Sequence, residues 1–303
     1  MVAVACIIPT HGRPELLAAS LECVLHQSAP PMEIIVVDDL DDDQTGALVD
    51  MVRQDSKISM RRLVNREHPG ASGSRNAGAR AARADIIAFL DDDDRWRPGY
   101  LSSAVSKLAK SGADVVISGL RRFKVDGTIQ DIVIPPQSEI ADRIFDKNFG
   151  MTGSNFVVRP RAFELLGGFD PELPVYEDWD FLIRLVQSGL HYAVEPETNA
   201  EWREHKGQRL SALTLRRAEG IERFTAKHAT EMSTINRRNL QAIALGIRRR
   251  IATSALHRVQ LTAKLLLLLG LREALKRRLM PGIPGARRLA SASVHTDGPS
   301  IAG

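Results

Sequence analysis

Cysteine is scarce in this sequence, and its scarcity limits the kinds of fold that the chain can adopt. Only two cysteines, Cys6 and Cys23, occur in 303 residues. Two thiols do not make the disulfide framework of a small secreted domain, and they fit a reducing compartment. Because one lies in an apolar strand pattern and the other in a helical pattern, we expect both to be buried and unreactive.

Long apolar runs are missing as well. The run Leu265–Leu269 is far shorter than the about 20 residues that a membrane-spanning helix needs. At the N-terminus, the apolar stretch Val2–Pro9 is ended early by Pro9 and Gly12, so no secretory signal peptide is expected. We therefore predict a globular, cytoplasmic protein. Its 303 residues, 44% of them hydrophobic, suffice for one large or two modest domains.

Charge is present in both signs but is unevenly distributed along the chain. The formal net charge is +4, yet residues 203–290 hold 20 Lys and Arg against 5 Glu and no Asp, which leaves −11 for the remainder. We therefore predict an acidic catalytic domain over residues 1–210 and a basic helical extension over residues 211–280. Residues 281–303, rich in Gly, Pro, Ser and Ala, are expected to be disordered.

The basic extension has two interpretations. Its helical patterns can lie on an anionic membrane surface, with Arg248–Arg250 and Lys276–Arg278 beside an apolar stretch. Alternatively, they form a helical subdomain that covers the catalytic sheet or makes a homodimer. The predicted helices are Leu213–His228, Ile235–Leu256 and Val259–Met280.

The first hundred residues alternate between two hydrophobic periodicities. Apolar β-branched runs, typical of buried strands, are separated by amphipathic helical patterns. Such alternation predicts an α/β fold with a mostly parallel sheet and right-handed crossovers. The predicted strands are Val2–Ile8, Glu33–Val37, Met60–Asn65 and Asp85–Leu90, and the predicted helices between them are Pro14–Leu25, Thr45–Arg53 and Ser72–Ala84.

Four consecutive aspartates, Asp91–Asp94, directly follow the predicted strand Asp85–Leu90. The carboxyl ends of parallel strands are where ligands bind in open α/β sheets. Adjacent carboxylates repel one another, and a divalent cation bound through their oxygens relieves that repulsion. The run therefore predicts a cation site, with a solvated acidic turn as the alternative.

Five motifs in this order resemble those of family 2 glycosyltransferases with the GT-A fold, a Rossmann-like sheet flanked by helices. The resemblance covers about residues 3–210 and leaves the basic extension unexplained. The motifs are Ile7-Ile8-Pro9-Thr10; Val36-Val37-Asp38-Asp39; Gly73-Ser74-Arg75-Asn76-Ala77-Gly78; Phe89-Leu90-Asp91-Asp92-Asp93-Asp94; and Gly167-Gly168-Phe169-Asp170 with Glu177-Asp178-Trp179-Asp180.

The resemblance implies a donor site for a nucleotide-sugar. Asp39 is expected to accept a hydrogen bond from the base, which favours uracil or thymine because these carry an imide N–H. Arg75 is expected to contact phosphate or a base carbonyl, with a helix-surface arginine as the alternative. Asp38 either caps a neighbouring loop or contacts the ligand. The other residues implied to line the donor site are Pro9, Thr10, Arg13, Asp91 and Asp92.

One departure from the family pattern falls beside this site. The family usually continues the second motif with Gly-Ser-Thr-Asp, whereas this chain has Leu40-Asp41-Asp42-Asp43. The geometry of the loop near the nucleotide therefore stays open from the sequence.

The metal ligands implied by the resemblance are Asp91, Asp93 and His205, with Asp94 flanking and Mn²⁺ or Mg²⁺ as the cofactor. His205 is one histidine among eight, and a structural or exposed histidine is the alternative. Such a cation would bridge the two phosphates of the donor and neutralise charge as the diphosphate leaves.

Asp178 matches the family's general base, which takes the proton of the acceptor hydroxyl in an inverting transfer; a helix-capping carboxylate is the alternative. Asp180 is expected to cap the N-terminus of the helix Phe181–Gln187 or to interact with the helix dipole, and Glu177 to contact the acceptor or a loop. An inverting reaction itself is implied by the resemblance.

Together these features predict a metal-dependent inverting glycosyltransferase that uses a UDP- or dTDP-sugar. The implied acceptor is a hydroxyl of a saccharide or a lipid-linked saccharide in the synthesis of a cell-surface polysaccharide or glycoconjugate. The expected location is the cytoplasm, with peripheral contact to the inner face of the cell membrane if the basic helices bind lipid.

Two other classes of protein share some of these features. A nucleotidyltransferase would share the α/β core and the acidic metal site, but it would be expected to carry a Gly-rich, basic loop after the first strand, where only Pro9–Arg13 stands. A basic protein that binds nucleic acid would explain the extension but not the acidic strand ends, so no nucleic-acid partner is expected.

Overall fold

The computed structural model describes residues 2–124, 126–203 and 213–270. The chain divides into two compact units, Met1–Gln208 and Arg209–Gly303. The boundary that the sequence predicts at residue 210 lies outside the described residues, as do His205 and the tail 281–303.

The first unit alternates strands and helices along the chain. The strands within the described residues are β1 Val4–Thr10, β2 Glu33–Asp38, β3 Ser59–Val64, β4 Ile86–Phe89, β5 Arg95–Trp96, β6 Val115–Phe123, β7 Ile129–Ile132, β8 Phe156–Val158 and β9 Tyr192–Arg203. The helices are α1 Pro14–Leu25, α2 Asp43–Asp55, α3 Ala71–Ala81, α4 Tyr100–Ser111, α5 Gln137–Arg143, α6 Pro160–Leu165 and α7 Glu177–Gln187.

The described strands form one sheet in the order β3-β2-β1-β4-β8-β6-β9-β5, with β7 paired to β6. The long pairings of β1 with β2 and β4, of β2 with β3, and of β6 with β9 are parallel. The pairings of β8 with its two neighbours and of β5 with β9 are short and antiparallel. The predicted α/β fold with a mostly parallel sheet is confirmed.

The register of the parallel strands brings the acidic motifs to one edge of the sheet. Thr10 at the end of β1 pairs with Asp38 at the end of β2. On the other side of β1, Ile7 pairs with Phe89, the last residue of β4. Because the three strands run in the same direction, Asp38 at the end of β2 and Asp91 just after β4 lie on either side of Thr10. The first and fourth motifs are therefore neighbours in space.

Helix α3 packs closely on this sheet because it carries a glycine at the point of contact. A Cβ at Gly78 would lie 2.4 Å from Ile7 Cγ2, closer than real side chains approach. Ile7, on β1, is fully buried. The small residue therefore lets α3 approach β1, and this approach carries Arg75 and Asn76, on the same helix, toward the edge of the sheet that bears the acidic motifs.

The sequence missed several elements. Strands β5, β7 and β9 were not predicted, and α7 begins at Glu177 rather than at Phe181. The residue before α7, Tyr176, has a left-handed backbone (φ 65°) and makes no side-chain capping bond, so no capping pattern marks this helix start. Cys6 is buried as expected, whereas Cys23 is only partly buried.

The second unit is helical over its described part, which confirms the predicted C-terminal helical extension. Its helices are α8 Leu215–Lys227, α9 Thr234–Ile251 and α10 Ala255–Leu269. The predicted helix Ile235–Leu256 ends earlier than expected, because α9 stops at Ile251 and Ser254 caps the N-terminus of α10. None of the helices in the described ranges has both the length and the apolarity for a membrane crossing.

Candidate active site

The acidic loop after β2 is organised by its own backbone and by arginines. Asp38 is fully buried and accepts hydrogen bonds from the N–H groups of Leu40 (3.0 Å) and Asp42 (2.9 Å). Arg62 Nη2 lies 2.6 Å from the same carboxylate. Of the two roles that the sequence left open for Asp38, the loop-capping role is the one that the structure displays.

Asp39, predicted to bind the base, lies in the same loop. Each of its carboxylate oxygens contacts a residue from another segment of the chain. Its Oδ2 accepts the N–H of Gly70 (2.6 Å), and its Oδ1 lies 2.6 Å from His11 Nδ1. The side chain is only 3% exposed, although His11 is open to solvent. A base contact at Asp39 stays a prediction.

The departure Leu40-Asp41-Asp42-Asp43 has a local structural role. Asp42 is the N-cap of α2 and accepts hydrogen bonds from the backbone N–H and the hydroxyl of Thr45, both at 2.8 Å. Asp41 takes up a left-handed conformation (φ 56°), which Asp tolerates better than most residues. This part of the acidic sequence therefore builds a turn and a helix start.

In the second acidic run, Asp92 is almost fully buried and has partners of its own. Its Oδ2 accepts the Thr10 hydroxyl (2.8 Å), and its Oδ1 pairs with Arg13 Nη2 (2.5 Å). Burial raises the pKa of Asp92 to about 7, while the Arg13 guanidinium opposes that rise. Thr10 and Arg13, both predicted to line the donor pocket, thus hold this loop to β1, and Pro9 is buried within β1 itself.

The other three carboxylates of the run converge. Asp91, Asp93 and Asp94 each place an oxygen so that all three lie within 4.8 Å of one another. Asp94 is buried and accepts hydrogen bonds from Ser154 Oγ (2.6 Å) and the N–H of Arg203 (3.2 Å). Burial raises the pKa of Asp94, and the charges of Asp93 and Asp91 raise it further. A cation would relieve this crowding.

Sequence reasoning placed Asp91 and Asp93 among the metal ligands and Asp94 beside them. The structure adds the Asp94 carboxylate to the cluster, and it identifies Ser154 as the residue that holds the cluster together. Ser154 Oγ donates to Asp94 and accepts the N–H of Asp91 (3.0 Å). No local signal in the sequence connects Ser154 to residues about 60 positions earlier.

Arg75 joins the metal motif to the motif that contains the predicted base. Its Nη2 lies 2.5 Å from Asp91 Oδ1, and its Nη1 lies 3.3 Å from Glu177 Oε1. The side chain is only 3% exposed. Burial works against its charge, but the two carboxylates outweigh burial and raise the pKa of Arg75, so the guanidinium stays charged. The surface-arginine alternative is therefore excluded.

Asp178, the predicted base, lies in the first turn of α7 and is partly exposed. Its Oδ1 accepts the N–H of Trp179 (2.7 Å), and the indole of Trp179 is anchored to the carbonyl of Ile144 (2.7 Å). Desolvation by the surrounding protein, reinforced by the neighbouring Glu177 carboxylate, raises the pKa of Asp178 to about 8. A carboxyl group with a pKa in this range is suited to proton transfer near neutral pH.

Asp180 does not have the predicted capping role. It is fully buried, pairs with Arg184 at 2.7 Å one turn along α7, and follows the N-cap position, which Tyr176 occupies. The expectation of a helix cap was wrong because α7 starts four residues earlier than its apolar pattern indicates. The alternative of a dipole partner agrees with the place of Asp180 in the first turn of α7.

The glycosyl transferase family 2 model matches residues 5–167, more than half of the chain. The chain therefore belongs to this family and is a glycosyltransferase, as its motifs predict. Among curated relatives it is 26% identical to the succinoglycan biosynthesis protein ExoO of Rhizobium meliloti, over 95% of this chain and 87% of that protein. It is 30% identical to the UDP-Glc:alpha-D-GlcNAc-diphosphoundecaprenol beta-1,3-glucosyltransferase WfgD of Escherichia coli, over 44% of this chain and about half (51%) of WfgD.

Solved structures with low sequence identity share the fold. TarS 1-349 of S. aureus, in complex with UDP-GlcNAc, matches with a TM-score of 0.64 at 16% identity, over 95% of this chain and 83% of that one. The mannosyltransferase PcManGT from Pyrobaculum calidifontis, in complex with GDP-Man and Mn²⁺, matches with a TM-score of 0.58 at 18% identity, over 97% and 86% of the two chains. The predicted GT-A fold is confirmed.

Proposed function

We propose that this glycosyltransferase transfers a sugar from a nucleotide-sugar to a hydroxyl acceptor, with inversion and with the help of a divalent cation. One observation carries the proposal: Arg75 hydrogen-bonds both Asp91, in the acidic cluster, and Glu177, next to Asp178. The motif suited to the diphosphate and the motif suited to the acceptor proton therefore border one site.

The cation site is formed by Asp91, Asp93 and Asp94. Hard carboxylate oxygens suit Mn²⁺ and Mg²⁺, and three of them within 4.8 Å of one another fit a single ion. His205 remains a proposed fourth ligand on the basis of the family resemblance. When bound, the ion would neutralise charge on the diphosphate. The Mn²⁺ in the PcManGT complex supports this choice of metal.

The donor is proposed to be a UDP- or dTDP-sugar. The named donors of similar proteins are UDP-Glc for WfgD, UDP-GlcNAc for TarS and GDP-Man for PcManGT. A carboxylate at Asp39 favours a pyrimidine, because it can accept the imide N–H. A loop movement that releases Asp39 from Gly70 or His11 would make that oxygen available to the base.

In the transfer step, Asp178 accepts the proton of the acceptor hydroxyl. The acceptor oxygen forms a bond to the anomeric carbon on the face opposite the diphosphate, and the bond from that carbon to the phosphate oxygen breaks. The leaving nucleoside diphosphate carries away the bonding electron pair. Ionised Asp178 is required for this step, and its position beside Glu177 and Trp179 fixes its orientation.

The acceptor is proposed to be a saccharide or a lipid-linked saccharide in polysaccharide or glycoconjugate synthesis. The names of ExoO and WfgD support this class, the first through succinoglycan and the second through a diphosphoundecaprenol-linked sugar. A lipid-linked acceptor would be presented at a membrane, so a means of contacting lipid would be useful.

We further propose that α10 provides this lipid contact. Residues 232–270 contain seven Lys and Arg and no Asp or Glu. On α10, Leu256, Val259 and Leu267 are 69%, 65% and 88% exposed. At helical spacing they share the face opposite the buried Leu261 and Leu265. An apolar stripe on a basic segment that has no acidic residues is typical of binding to an anionic lipid surface.

A thermal-shift panel tests the donor and metal assignments. UDP-, dTDP- and GDP-sugars are each added with and without Mn²⁺, since a ligand that binds the folded state raises the apparent stability. We expect the largest shift for a pyrimidine sugar with Mn²⁺. A GDP-sugar as the best ligand would overturn the donor assignment, and equal shifts with and without Mn²⁺ would overturn the metal assignment.

A further inference from the structure

The guanidinium of Arg75 is enclosed by packing as well as by its two carboxylates. The distance from Arg75 Cζ to the ring centroid of the buried Phe169 is 5.1 Å. On another side the backbone of Gly153 approaches so closely that a Cβ there would lie 2.2 Å from Nη2. A glycine at position 153 is thus required for Arg75 to lie where it does.

The next residue on α3 fixes the same region from a second point. Asn76 Nδ2 donates to the carbonyl of Phe169 (2.7 Å), and Asn76 Oδ1 accepts the N–H of Phe169 (2.8 Å). Helix α3 thereby contacts three segments that are distant in sequence: the acidic cluster through Asp91, the Phe169 segment, and the first turn of α7 through Glu177.

This connection fixes the position of the proposed cation site relative to the proposed base. Asp91 belongs to the proposed cation site, and Glu177 immediately precedes the proposed base. A planar guanidinium with a hydrogen bond to each carboxylate holds them at a nearly fixed separation. A displacement of about 1 Å in such an arrangement can lower a reaction rate by about two orders of magnitude.

We infer that Arg75 is a positioning residue that fixes the Asp91 carboxylate against the first turn of α7, and so sets the base Asp178 relative to the donor. This role rests on the proposed function, and the phosphate or base contact expected for Arg75 stays a prediction. Both Nη atoms face carboxylates, and only 3% of the side chain is exposed.

The first experiment is a double-mutant cycle on kcat at saturating donor and Mn²⁺. Arg75→Met and Glu177→Met should each lower kcat by about 100-fold, and the double variant should be about as slow as either one, because all three break the same bridge. Arg75→Lys should recover less than tenfold of the loss, since an ammonium group does not reproduce the two-pronged contact. Losses that multiply in the double variant would overturn the inference.

The second experiment leaves both partners intact and disturbs only the packing. Gly153→Ala should displace the guanidinium and lower kcat toward the value for Arg75→Met. The matched control is Gly99→Ala, because a Cβ there would meet its nearest neighbour, Asn199, at an ordinary 3.8 Å. Full activity of folded Gly153→Ala would contradict the inference, and this result remains informative even if Arg75→Met does not fold.

Mn²⁺ binding separates this inference from the proposed function. Each variant is titrated with Mn²⁺, following free Mn²⁺ by electron paramagnetic resonance, and melting temperatures report folding. We expect Arg75→Met to bind Mn²⁺ within about tenfold of wild type, since loss of a held Asp91 and loss of a nearby positive charge act in opposite directions. Wild-type protein that binds no Mn²⁺ would reject the metal site, whereas kcat within threefold of wild type for Arg75→Met would reject the positioning role.

Discussion

The two acidic runs of this chain follow strands on either side of β1, yet the fold uses them differently. After β2, the carboxylates of Asp38, Asp41 and Asp42 are bound by backbone N–H groups, by Thr45 and by arginines. After β4, three carboxylates converge on one another, and only Asp92 is withdrawn. A run of aspartates therefore indicates a ligand site where the fold brings several carboxylates together, as in the second run, and a structural role where each carboxylate is bound by its own loop and strand neighbours.

The difference is caused by β3. Arg62 lies on this strand beside β2 and contacts both Asp38 and Asp41, and Arg66, just beyond β3, also pairs with Asp41. Beside the second run, Arg13 pairs with Asp92 and, at 3.4 Å, with Asp93, and Arg75 pairs with Asp91. The buried Asp94 has hydroxyl and N–H donors but remains crowded by like charges.

The largest expected effect comes from Asp178, which belongs to neither run but borders the second. Asp178→Asn should lower transfer by about two to four orders of magnitude, the usual contribution of a positioned general base. An amide has nearly the same shape and still accepts a hydrogen bond, but it cannot take the proton. Binding of donor and Mn²⁺, followed by calorimetry, should be preserved and serves as the control. Transfer within a few-fold of wild type would exclude Asp178 as the base, and Glu177 and Asp180 would then be tested.

A substitution in the first run should change stability instead of metal binding. Asp38→Asn places an amide against Arg62 in a fully buried position and should lower the free energy of unfolding by about 3 kcal/mol, typical of breaking a buried ion pair. Urea unfolding measures the loss. Mn²⁺ affinity should stay within twofold of wild type. A stable Asp38→Asn variant that no longer binds Mn²⁺ would show that the two runs act together and would break the comparison.

The raised pKa of Asp178, which borders the second run, makes the stability of the folded protein depend on pH. The pKa of Asp178 is about 8 in the folded protein and about 3.9 in an unfolded chain. Between these values the folded state holds a proton that the unfolded state has lost, so stability falls as the pH rises and levels off above about 8. Asp178→Asn cannot titrate. Its stability relative to wild type should therefore rise by about 2 kcal/mol between pH 6 and pH 8 in urea unfolding with EDTA. A difference that stays constant with pH would contradict the raised pKa.

The smallest expected effect concerns helix α10, which lies in the basic part of the chain and carries the exposed apolar stripe. Leu267→Glu should reduce pelleting with vesicles of anionic phospholipid by a few-fold, because it removes apolar contact and adds a repelled charge. The matched control is Leu165→Glu, at a similarly exposed leucine of the first unit (66%). Equal pelleting of both variants and wild type would reject the lipid contact, and loss of a dimer in Leu267→Glu by gel filtration would assign the stripe to self-association instead.

Much of the fold could be predicted because its signals are local. The β-branched runs of β1, β2 and β4 and the helical patterns between them specify the parallel half of the sheet. Strand β9 was missed because Tyr192–Arg203 mixes buried and exposed residues and contains Pro196, which is unusual inside a strand.

The sequence supplied candidate residues for the site but not their contacts. Motif order singled out Asp91, Asp93, Asp178 and Arg75 as candidates. That Arg75 bonds Glu177, 102 positions away, depends on the approach of α3 to the sheet and on the absence of a side chain at Gly153. Neither feature leaves a periodic signal. The roles of Asp38 and Asp42 likewise follow from partners supplied by the folded loop.

The most direct measurement compares one carboxylate from each run. Wild type, Asp93→Asn and Asp41→Asn are titrated by calorimetry with the nucleotide selected in the thermal-shift panel, with and without saturating Mn²⁺. Asp41 is the matched control because its left-handed backbone accepts Asn. We predict that Mn²⁺ tightens nucleotide binding by the same factor in wild type and Asp41→Asn and has no effect in Asp93→Asn. Undiminished Mn²⁺ enhancement in Asp93→Asn would contradict the assignment of the second run as the cation site, as would its loss in Asp41→Asn.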